Sequence, residues 1–204
     1  MTDLKLNSLD GLILQNVEAE VVSREGSDAV RVVLADGAKP GENPNFALVD
    51  GLDFSDGTIE LEVIGLTLPN GPPQARGFIG FTFRIAEDLS SFEGLYIRPS
   101  NGRAEDQLRR NHSVQYFSYP GYGWKRLRDE TPGQYETYAD MVPGEWTKLR
   151  AEIKGDKAHL FVGDAEQPTL VVNAMKLGAD AHGSVGLWGG VGTEGFYRNL
   201  RITK

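Results

Sequence analysis

The chain of 204 residues contains no cysteine. Its absence excludes disulfide bonds, a thiol nucleophile and any metal site built from thiolates. The three histidines, His112, His159 and His182, are far apart and lack the close spacing of a zinc or iron motif. We therefore predict no metal and no cofactor. Calcium stays open, because backbone carbonyls and a single carboxylate can bind it without a recognisable motif.

Long apolar runs are missing as well. No stretch approaches the ~20 apolar residues that a transmembrane helix needs, so we expect no membrane partner. Residues 1–14 lack the basic region and apolar core of a secretory leader. As written, the sequence predicts a soluble, cytoplasmic protein, or a periplasmic or secreted one if a leader has been removed.

Positive charge is in deficit. The chain has 21 Lys and Arg against 29 Asp and Glu, which gives a formal net charge of -8 at pH 7. Such a protein repels polyanions overall, so nucleic acid is not a predicted partner.

The sequence also lacks a long amphipathic helical segment, and short alternating runs take its place. Residues 58–63 alternate strictly, with Ile59, Leu61 and Val63 on one face of a predicted strand. Further strands are predicted at residues 17–23, 29–34, 78–85, 92–98, 113–118, 146–154, 157–162, 169–172, 184–188 and 195–202. Without helices for crossovers, this pattern excludes an α/β fold and predicts an antiparallel sandwich or barrel in one domain, residues 1–204.

Glycine turn dipeptides punctuate these strands. They are Asp10-Gly11, Asp36-Gly37, Pro40-Gly41, Asp50-Gly51, Asp56-Gly57, Asn70-Gly71, Asn101-Gly102, Pro120-Gly121, Pro132-Gly133 and Pro143-Gly144. Residues 26–28 are the predicted turn of an N-terminal hairpin, and residues 104–108 could form one helical turn. Residues 190–195 spell a dinucleotide-loop pattern, but no helix follows, so we interpret them as a hairpin turn.

Aromatic residues are concentrated in one segment, residues 109–140. It contains Tyr116, Phe117, Tyr119, Tyr122, Trp124, Tyr135 and Tyr138 among charged and amide side chains. Aromatic faces beside hydrogen-bonding groups suit a ligand that is partly apolar and partly hydroxylated, such as a sugar ring. The alternative is that these rings only attach a long loop to a β scaffold.

Several motifs in the second half appear in a recognisable order. They are Phe92-Glu93-Gly94-Leu95-Tyr96-Ile97-Arg98, His112-Ser113-Val114-Gln115-Tyr116, Pro143-Gly144-Glu145-Trp146-Thr147-Lys148-Leu149-Arg150, Gly183-Ser184-Val185-Gly186-Leu187-Trp188 and Phe196-Tyr197-Arg198-Asn199-Leu200-Arg201-Ile202. This order resembles the concanavalin A-like, laminin-G-like jelly rolls, and most closely the bacterial 3-keto-disaccharide hydrolase type domain. The resemblance covers residues 56–204 and implies an all-β, antiparallel, two-sheet jelly roll with a carbohydrate or glycoside ligand on its concave face.

The resemblance breaks at one position. Where the hydrolase pattern has Glu-Leu-Gln, this chain has Ser113-Val114-Gln115, so the carboxylate is missing and the glutamine remains. The strand-end arginine is retained as Arg98. Arg98 and Gln115 therefore carry over as candidate ligand-binding residues, and hydrolysis by the family's route is in doubt.

The predicted site combines these residues with the aromatic segment. Arg98, Gln115 and Tyr116 would form the floor of a groove, and Tyr119, Tyr122, Trp124 and Lys125 would form a wall or lid on the loop of residues 120–143. If the protein is an enzyme, His112 or Glu130 would transfer protons, and Lys125 or Arg98 would stabilise negative charge. Paired carboxylates for a glycosidase would come from Glu93, Asp129, Glu130, Glu136, Asp140 or Glu194.

Three functions remain open from the sequence. The first is a glycoside hydrolase-like enzyme that binds and processes a carbohydrate in the concave groove. The second is a non-catalytic glycan-binding module, which the missing acid favours. The third is a structural or interaction domain whose aromatic residues form an interface.

Overall fold

The structure is a computed structural model that describes residues 1–39 and 44–204. The predicted turn at Pro40-Gly41 lies outside the described residues. The strands are β1 (Thr2–Leu4), β2 (Leu12–Gln15), β3 (Val17–Arg24), β4 (Ser27–Leu34), β5 (Phe46–Val49), β6 (Gly57–Thr67), β7 (Ile79–Ile85), β8 (Phe92–Ile97), β9 (Val114–Tyr119), β10 (Glu136–Thr137), β11 (Thr147–Lys154), β12 (Lys157–Val162), β13 (Leu170–Val172), β14 (Ser184–Gly189) and β15 (Thr193–Thr203). The helices are α1 (Pro99–Gly102), α2 (Gln107–Asn111) and α3 (Trp124–Glu130).

The strands form two antiparallel sheets. Sheet 1 has the order β13-β12-β11-β6-β15-β4-β3, and β1 pairs with the C-terminal end of β15. Sheet 2 has the order β10-β9-β8-β7-β14-β5-β2. Apolar side chains from both sheets meet in one main core cluster. The predicted antiparallel two-sheet sandwich is confirmed.

Alternation in the sequence locates the core side of sheet 1. Ile59, Leu61 and Val63 of β6 are buried, and Glu60 and Glu62 between them are partly exposed, as predicted for a strand with one face in the core. The predicted hairpin of β11 and β12 is confirmed, with Gly155 and Asp156 between the two strands.

The N-terminal hairpin has a tighter turn than predicted. Arg24 pairs with Ser27, so Glu25 and Gly26 alone form the turn, with φ angles of 52° and 77°. Two consecutive positive φ angles are typical of the two-residue turn whose twist matches that of the flanking strands. The predicted turn at residues 26–28 is therefore wrong by about one residue.

Strand β7 departs from simple alternation at Arg84. The sequence pattern placed Ile85 with Ile79, Phe81 and Phe83, and Arg84 on the opposite face. Arg84 has a φ of 52°, and the pairing of β7 with β14 shifts register next to it. As a result Ile85 packs in a second apolar cluster with Phe92 outside the main core, and the predicted face of Ile85 is wrong.

The Arg84 side chain is fully buried and forms an internal polar network. Its guanidinium lies 3.4 Å from the carboxylate of Glu93, which is also fully buried. It donates further hydrogen bonds to the carbonyls of Ser55, Gly155 and Gly178. These contacts compensate for the loss of water around the guanidinium, which would otherwise be costly.

Glu93 connects this network to β9. The hydroxyl of Tyr116 donates to Glu93 Oε1 at 2.5 Å, and the backbone N–H of Leu177 donates to the same oxygen. The backbone N–H of Lys176 donates to the Tyr116 hydroxyl at 2.7 Å. The network therefore joins three neighbouring strands of sheet 2, β7, β8 and β9, to the loop before β14.

Two short segments also differ from the sequence expectations. Two short helices, α1 and α2, take the place of the single helical turn predicted at residues 104–108. Helix α2 begins after Asp106, which accepts hydrogen bonds from two backbone N–H groups of the helix. Residues 190–192 connect β14 in sheet 2 to β15 in sheet 1, so they form a link between sheets and not a hairpin turn. Across residues 1–39 and 44–204, no helix is long and apolar enough to span a bilayer.

The buried network yields a stability prediction. Arg84 also pairs with the half-exposed Asp56 at 3.1 Å. Replacing Glu93 by Gln therefore removes the buried one of the two carboxylates that face Arg84, and the variant should lose about 1.5–3 kcal/mol of unfolding free energy. Urea denaturation measures this change. Glu130→Gln is the control, because Glu130 pairs with Arg126 on the exposed face of α3 and should have a much smaller effect. Equal effects of the two substitutions would contradict a structural role for the buried pair.

Candidate functional site

A cavity of about 460 Å³ lies on the outer face of sheet 2, the face turned away from the core. We call it the aromatic groove. Among the described residues, none of the side chains that line it is charged. They are Asn45, Phe78, Phe92, Tyr96, Phe117, Ser118, Tyr119, Gly121, Gly123, Trp124, Trp188, Gly190 and Val191.

Strand pairing brings three rings together in the floor of the groove. Gly80 of β7 pairs with Tyr96 of β8 on one side and with Trp188 of β14 on the other. The Trp188 ring centroid lies 5.0 Å from that of Tyr96 and 5.1 Å from that of Phe117. Because paired residues of neighbouring strands point to the same face, this aromatic floor follows from register alone.

Glycine makes room for these rings. Gly94 pairs with Phe117, and a Cβ atom at Gly94 would collide with the Phe117 ring. A Cβ atom at Gly190 would likewise lie 2.6 Å from Cβ of Phe78. The floor therefore needs glycine at these strand and turn positions so that aromatic rings can lie flat against the backbone.

The rim of the groove is built by the segment after β9. Tyr119 stacks on Phe92 with ring centroids 4.9 Å apart and planes 15° apart. Trp124, at the first position of α3, is 48% exposed and lies at the mouth. Leu127 anchors α3 by inserting into the main core. A large, partly exposed indole is thus held over the groove by a helix that is fixed to the sandwich.

Polar residues lie next to the groove without lining it, and we call Arg98, His112, Gln115, Arg128 and Glu136 the polar end. Arg98 is buried and donates to the His112 carbonyl at 2.6 Å, to the Tyr96 hydroxyl at 2.7 Å and to Gln115 Oε1 at 3.3 Å. The Gln115 amide donates to the carbonyls of Tyr116 and Tyr135. Burial, the largest influence, lowers the pKa of Arg98. Both predicted floor residues are therefore held rigidly behind Tyr96.

Glu136 lies between a cation and an imidazole. Arg128 donates to both of its carboxylate oxygens, at 2.6 to 3.1 Å. His112 Nδ1 lies 2.8 Å from Glu136 Oε2, but the ring nitrogen is not aligned for a directed hydrogen bond. Burial lowers the pKa of His112, and Arg128 and Arg98 lower it further, against an opposing effect of Glu136. The net lowering of this pKa favours the neutral imidazole. Arg128 also lies over the Trp124 ring, 4.9 Å from its centroid.

The predicted aromatic residues separate into three environments. Tyr119 and Trp124 line the aromatic groove. Tyr116 does not belong to the floor, because it is on the opposite face of β9 from Gln115 and is fully buried in the main core. Tyr122 packs against that core, with the guanidinium of Arg126 4.1 Å from its ring centroid. The predicted floor position of Tyr116 is therefore wrong.

The predicted charged residues of α3 point away from the groove. Lys125 pairs with Asp129, and Glu130 pairs with Arg126, each one helical turn apart on an exposed face. Neither Lys125 nor Glu130 lines the aromatic groove. The helix that carries Trp124 turns both side chains to solvent, so the structure does not bring them together with Arg98 and Gln115.

Of the six acids considered for paired chemistry, Glu136 alone lies at the groove. Glu93 is buried inside the sandwich, Asp129 and Glu130 lie on α3, Asp140 pairs with Arg103, and Glu194 pairs with Arg31 in sheet 1. In residues 1–39 and 44–204 no group of three or more acids and histidines is placed to hold a metal ion.

Sequence analysis missed most of the groove's lining. Phe78, Tyr96, Phe117 and Trp188 form its floor and side, although none of them was selected as a site residue. Strand parity could have found them, since Tyr96 and Phe117 share the face of Arg98 and Gln115. The sequence did not show which face of sheet 2 packs in the core, because this sheet is apolar on both faces.

Comparisons with solved structures identify the fold. No protein-family model matches the chain, and no curated protein matches it in sequence. The carbohydrate-binding module CBM66 from Bacillus subtilis is similar in structure, with a TM-score of 0.59 at 12% identity over 94% of this chain and 97% of the module. A Bacillus subtilis protein of unknown function with a galectin-like fold has a TM-score of 0.60 at 11% identity over 99% and 94%. The fold is a concanavalin A-like jelly roll.

A third similar structure is described as a candidate glycosyl hydrolase, from Parabacteroides distasonis. It has a TM-score of 0.56 at 11% identity over 98% of this chain and 93% of that protein. All three matches extend over almost the full length of both chains. They therefore confirm the predicted jelly-roll architecture for the whole molecule.

The polar end yields a titration prediction. Glu136→Gln should lower the pKa of His112 further, because it removes the negative charge that favours the imidazolium, and Arg128→Gln should raise it. In the native protein this pKa lies below that of the unfolded chain, so the His112 contribution to stability is lost as the pH falls through it. NMR titration of the three histidines measures these shifts, with His159 as the internal control. Shifts in the same direction for both variants would contradict the assigned contacts.

Proposed function

We propose that this protein binds a carbohydrate in the aromatic groove. The observation that carries the proposal is the cluster of Trp188, Tyr96 and Phe117 on an open sheet face, with Trp124 at the rim. Sugar rings present apolar C–H faces that pack on aromatic rings, and hydroxyls that bond to polar groups around them. A cavity of about 460 Å³ lies within the usual range for small-ligand sites, roughly 300–1,000 Å³.

A binding module is the version of this function that the geometry supports best. Glycosidases use two carboxyl groups that face each other across the scissile bond. The described residues that line the groove include no carboxylate, and Glu136 at the polar end is already held by Arg128. The described site therefore has surfaces for binding a sugar but not the usual pair of acids for cleaving one. The name of the similar module CBM66 agrees with a binding role.

A glycoside-processing enzyme is the second candidate. It is favoured by one observation, the neutral His112 beside Glu136 and close to the buried Arg98. A neutral imidazole next to a carboxylate can accept a proton, and a guanidinium can stabilise developing negative charge. The candidate glycosyl hydrolase among the similar structures agrees with this alternative.

Binding is tested by removing one indole at a time. Trp188→Ala and Trp124→Ala should each weaken glycan binding by at least about tenfold, because each removes an aromatic surface at the centre or rim of the groove. Glycan arrays would find a ligand, and isothermal titration calorimetry would measure the loss. Trp146→Ala is the matched control, since its ring stacks under Arg198 of sheet 1 and is not part of the groove.

An unchanged affinity in both groove variants, with wild-type binding intact, would place the ligand elsewhere and contradict the proposal. Circular dichroism of all three variants separates loss of binding from loss of fold.

Turnover distinguishes the two candidates. If the protein is a binding module, a panel of glycosides and 3-keto-glycosides incubated with it should show no bond cleavage by product analysis. Cleavage that disappears in His112→Gln while glycan affinity is kept would instead establish the enzyme and assign His112 to the chemistry.

A further inference from the structure

Three neighbouring arginines lie next to the Phe78 and Tyr96 end of the aromatic groove, outside its lining, and have no acidic partner among the described residues. In the described part of the chain, no carboxylate forms an ion pair with Arg76, Arg98 or Arg109, whereas ten other Lys and Arg side chains pair with an acid. We call these three residues the arginine cluster. Each forms hydrogen bonds only with neutral groups, so its charge is not cancelled locally.

Arg98 is the innermost member. Its guanidinium lies over the ring of Tyr96 at 4.8 Å and near that of Phe78 at 5.9 Å, and both rings line the groove. Burying a guanidinium without a carboxylate partner costs folding free energy, because water no longer solvates its charge. The positive potential of Arg98 therefore extends into the uncharged groove, where little screens it.

Arg76 and Arg109 lie further out and close together. Arg109 donates to the Ser100 carbonyl and to Asn101 Oδ1, each at 3.4 Å, while the Ser100 N–H donates to the Arg76 carbonyl. Burial and then the charge of Arg109 lower the pKa of Arg76. Asn101, which accepts from Arg109, donates to the same His112 carbonyl as Arg98, so this outer pair of cations lies next to Arg98.

Acids of the same region are engaged elsewhere. Asp106 turns its carboxylate to the backbone N–H groups of Leu108 and Arg109 at the start of α2. Asp140 pairs with Arg103, and Glu136 pairs with Arg128. The chain carries a net charge of -8, so a shortage of acidic residues does not explain why the arginine cluster lacks one.

We propose that the aromatic groove is selective for an anionic saccharide, one that carries a carboxylate or a sulfate, and that the arginine cluster binds this acidic group. The inference rests on the proposed carbohydrate-binding function and specifies its ligand class. The sugar ring lies on the aromatic floor, and its acidic group points to the Phe78 end. Guanidinium groups suit both acids, because they donate paired hydrogen bonds to planar or tetrahedral oxyanions.

The test compares acidic saccharides with their neutral forms. A panel of uronic acid oligosaccharides is titrated beside the matching methyl esters, and sulfated oligosaccharides are titrated beside the desulfated ones. At low ionic strength at least one acid should bind roughly tenfold more tightly than its neutral form, as expected for one charge-assisted contact. Added salt should reduce this difference, because ions screen a partly exposed charge contact. The two arms show whether carboxylate or sulfate is the preferred group.

The matched variants remove the same amount of charge from two different places. Arg76→Gln with Arg109→Gln should remove the preference for the acid and leave the affinity for the neutral form unchanged. Lys154→Gln with Lys157→Gln removes the same charge from an exposed hairpin of sheet 1 and should leave the preference intact. Arg98 is not used, since its buried hydrogen bonds make a folding defect a competing explanation.

Three results would overturn the inference. Equal affinities for acids and neutral forms, with binding still dependent on Trp188, would reject anion selectivity and leave carbohydrate binding in place. An absence of binding to every saccharide would reject both. Binding of single-stranded DNA as tightly as the best acidic saccharide would show a general polyanion surface in place of a saccharide site.

Discussion

Strand β8 is covered on both faces, and this constraint determines most of the structure around it. All residues from Phe92 to Ile97 are buried. Leu95 and Ile97 face the main core, whereas Phe92 and Tyr96 face the rings of the outer surface. A strand in this position cannot alternate between polar and apolar residues. Any polar group on it must find its partners inside the protein, as Glu93 does with Arg84 and Tyr116.

The same constraint produces the groove. Neighbouring strands must supply rings to cover the outer face of β8, and Gly94 allows Phe117 to lie against the backbone. The cover is incomplete, because Phe117 and Trp188 remain partly exposed beneath the rim formed by Trp124. A contiguous aromatic surface that the protein does not cover itself is typical of a binding site. The site is therefore a consequence of how sheet 2 packs and not an addition to it.

The sequence predicted sheet 1 better than sheet 2 for this reason. Strand β6 has one solvent-exposed face, so the alternation around Ile59 and Leu61 identified the face that packs in the core. Sheet 2 has no such contrast: Tyr116 and Gln115 are both buried, and only the three-dimensional packing separates core from groove. The change in side-chain direction along β7 at Arg84 depends on a single backbone angle, which no residue pattern indicates. The aromatic segment was a sound guide to the rim, but the floor came from β8 and β14, distant in sequence.

Charge around the groove has two different physical roles. The pairs along α3, Lys125 with Asp129 and Arg126 with Glu130, are exposed and one turn apart, so they support a short helix and create little field beyond it. Arg128 links that helix to β10 through Glu136. Charge density alone is thus a poor guide to chemistry, since most of it is neutralised in place. What distinguishes Arg98 is that it is buried and forms all of its hydrogen bonds with neutral groups.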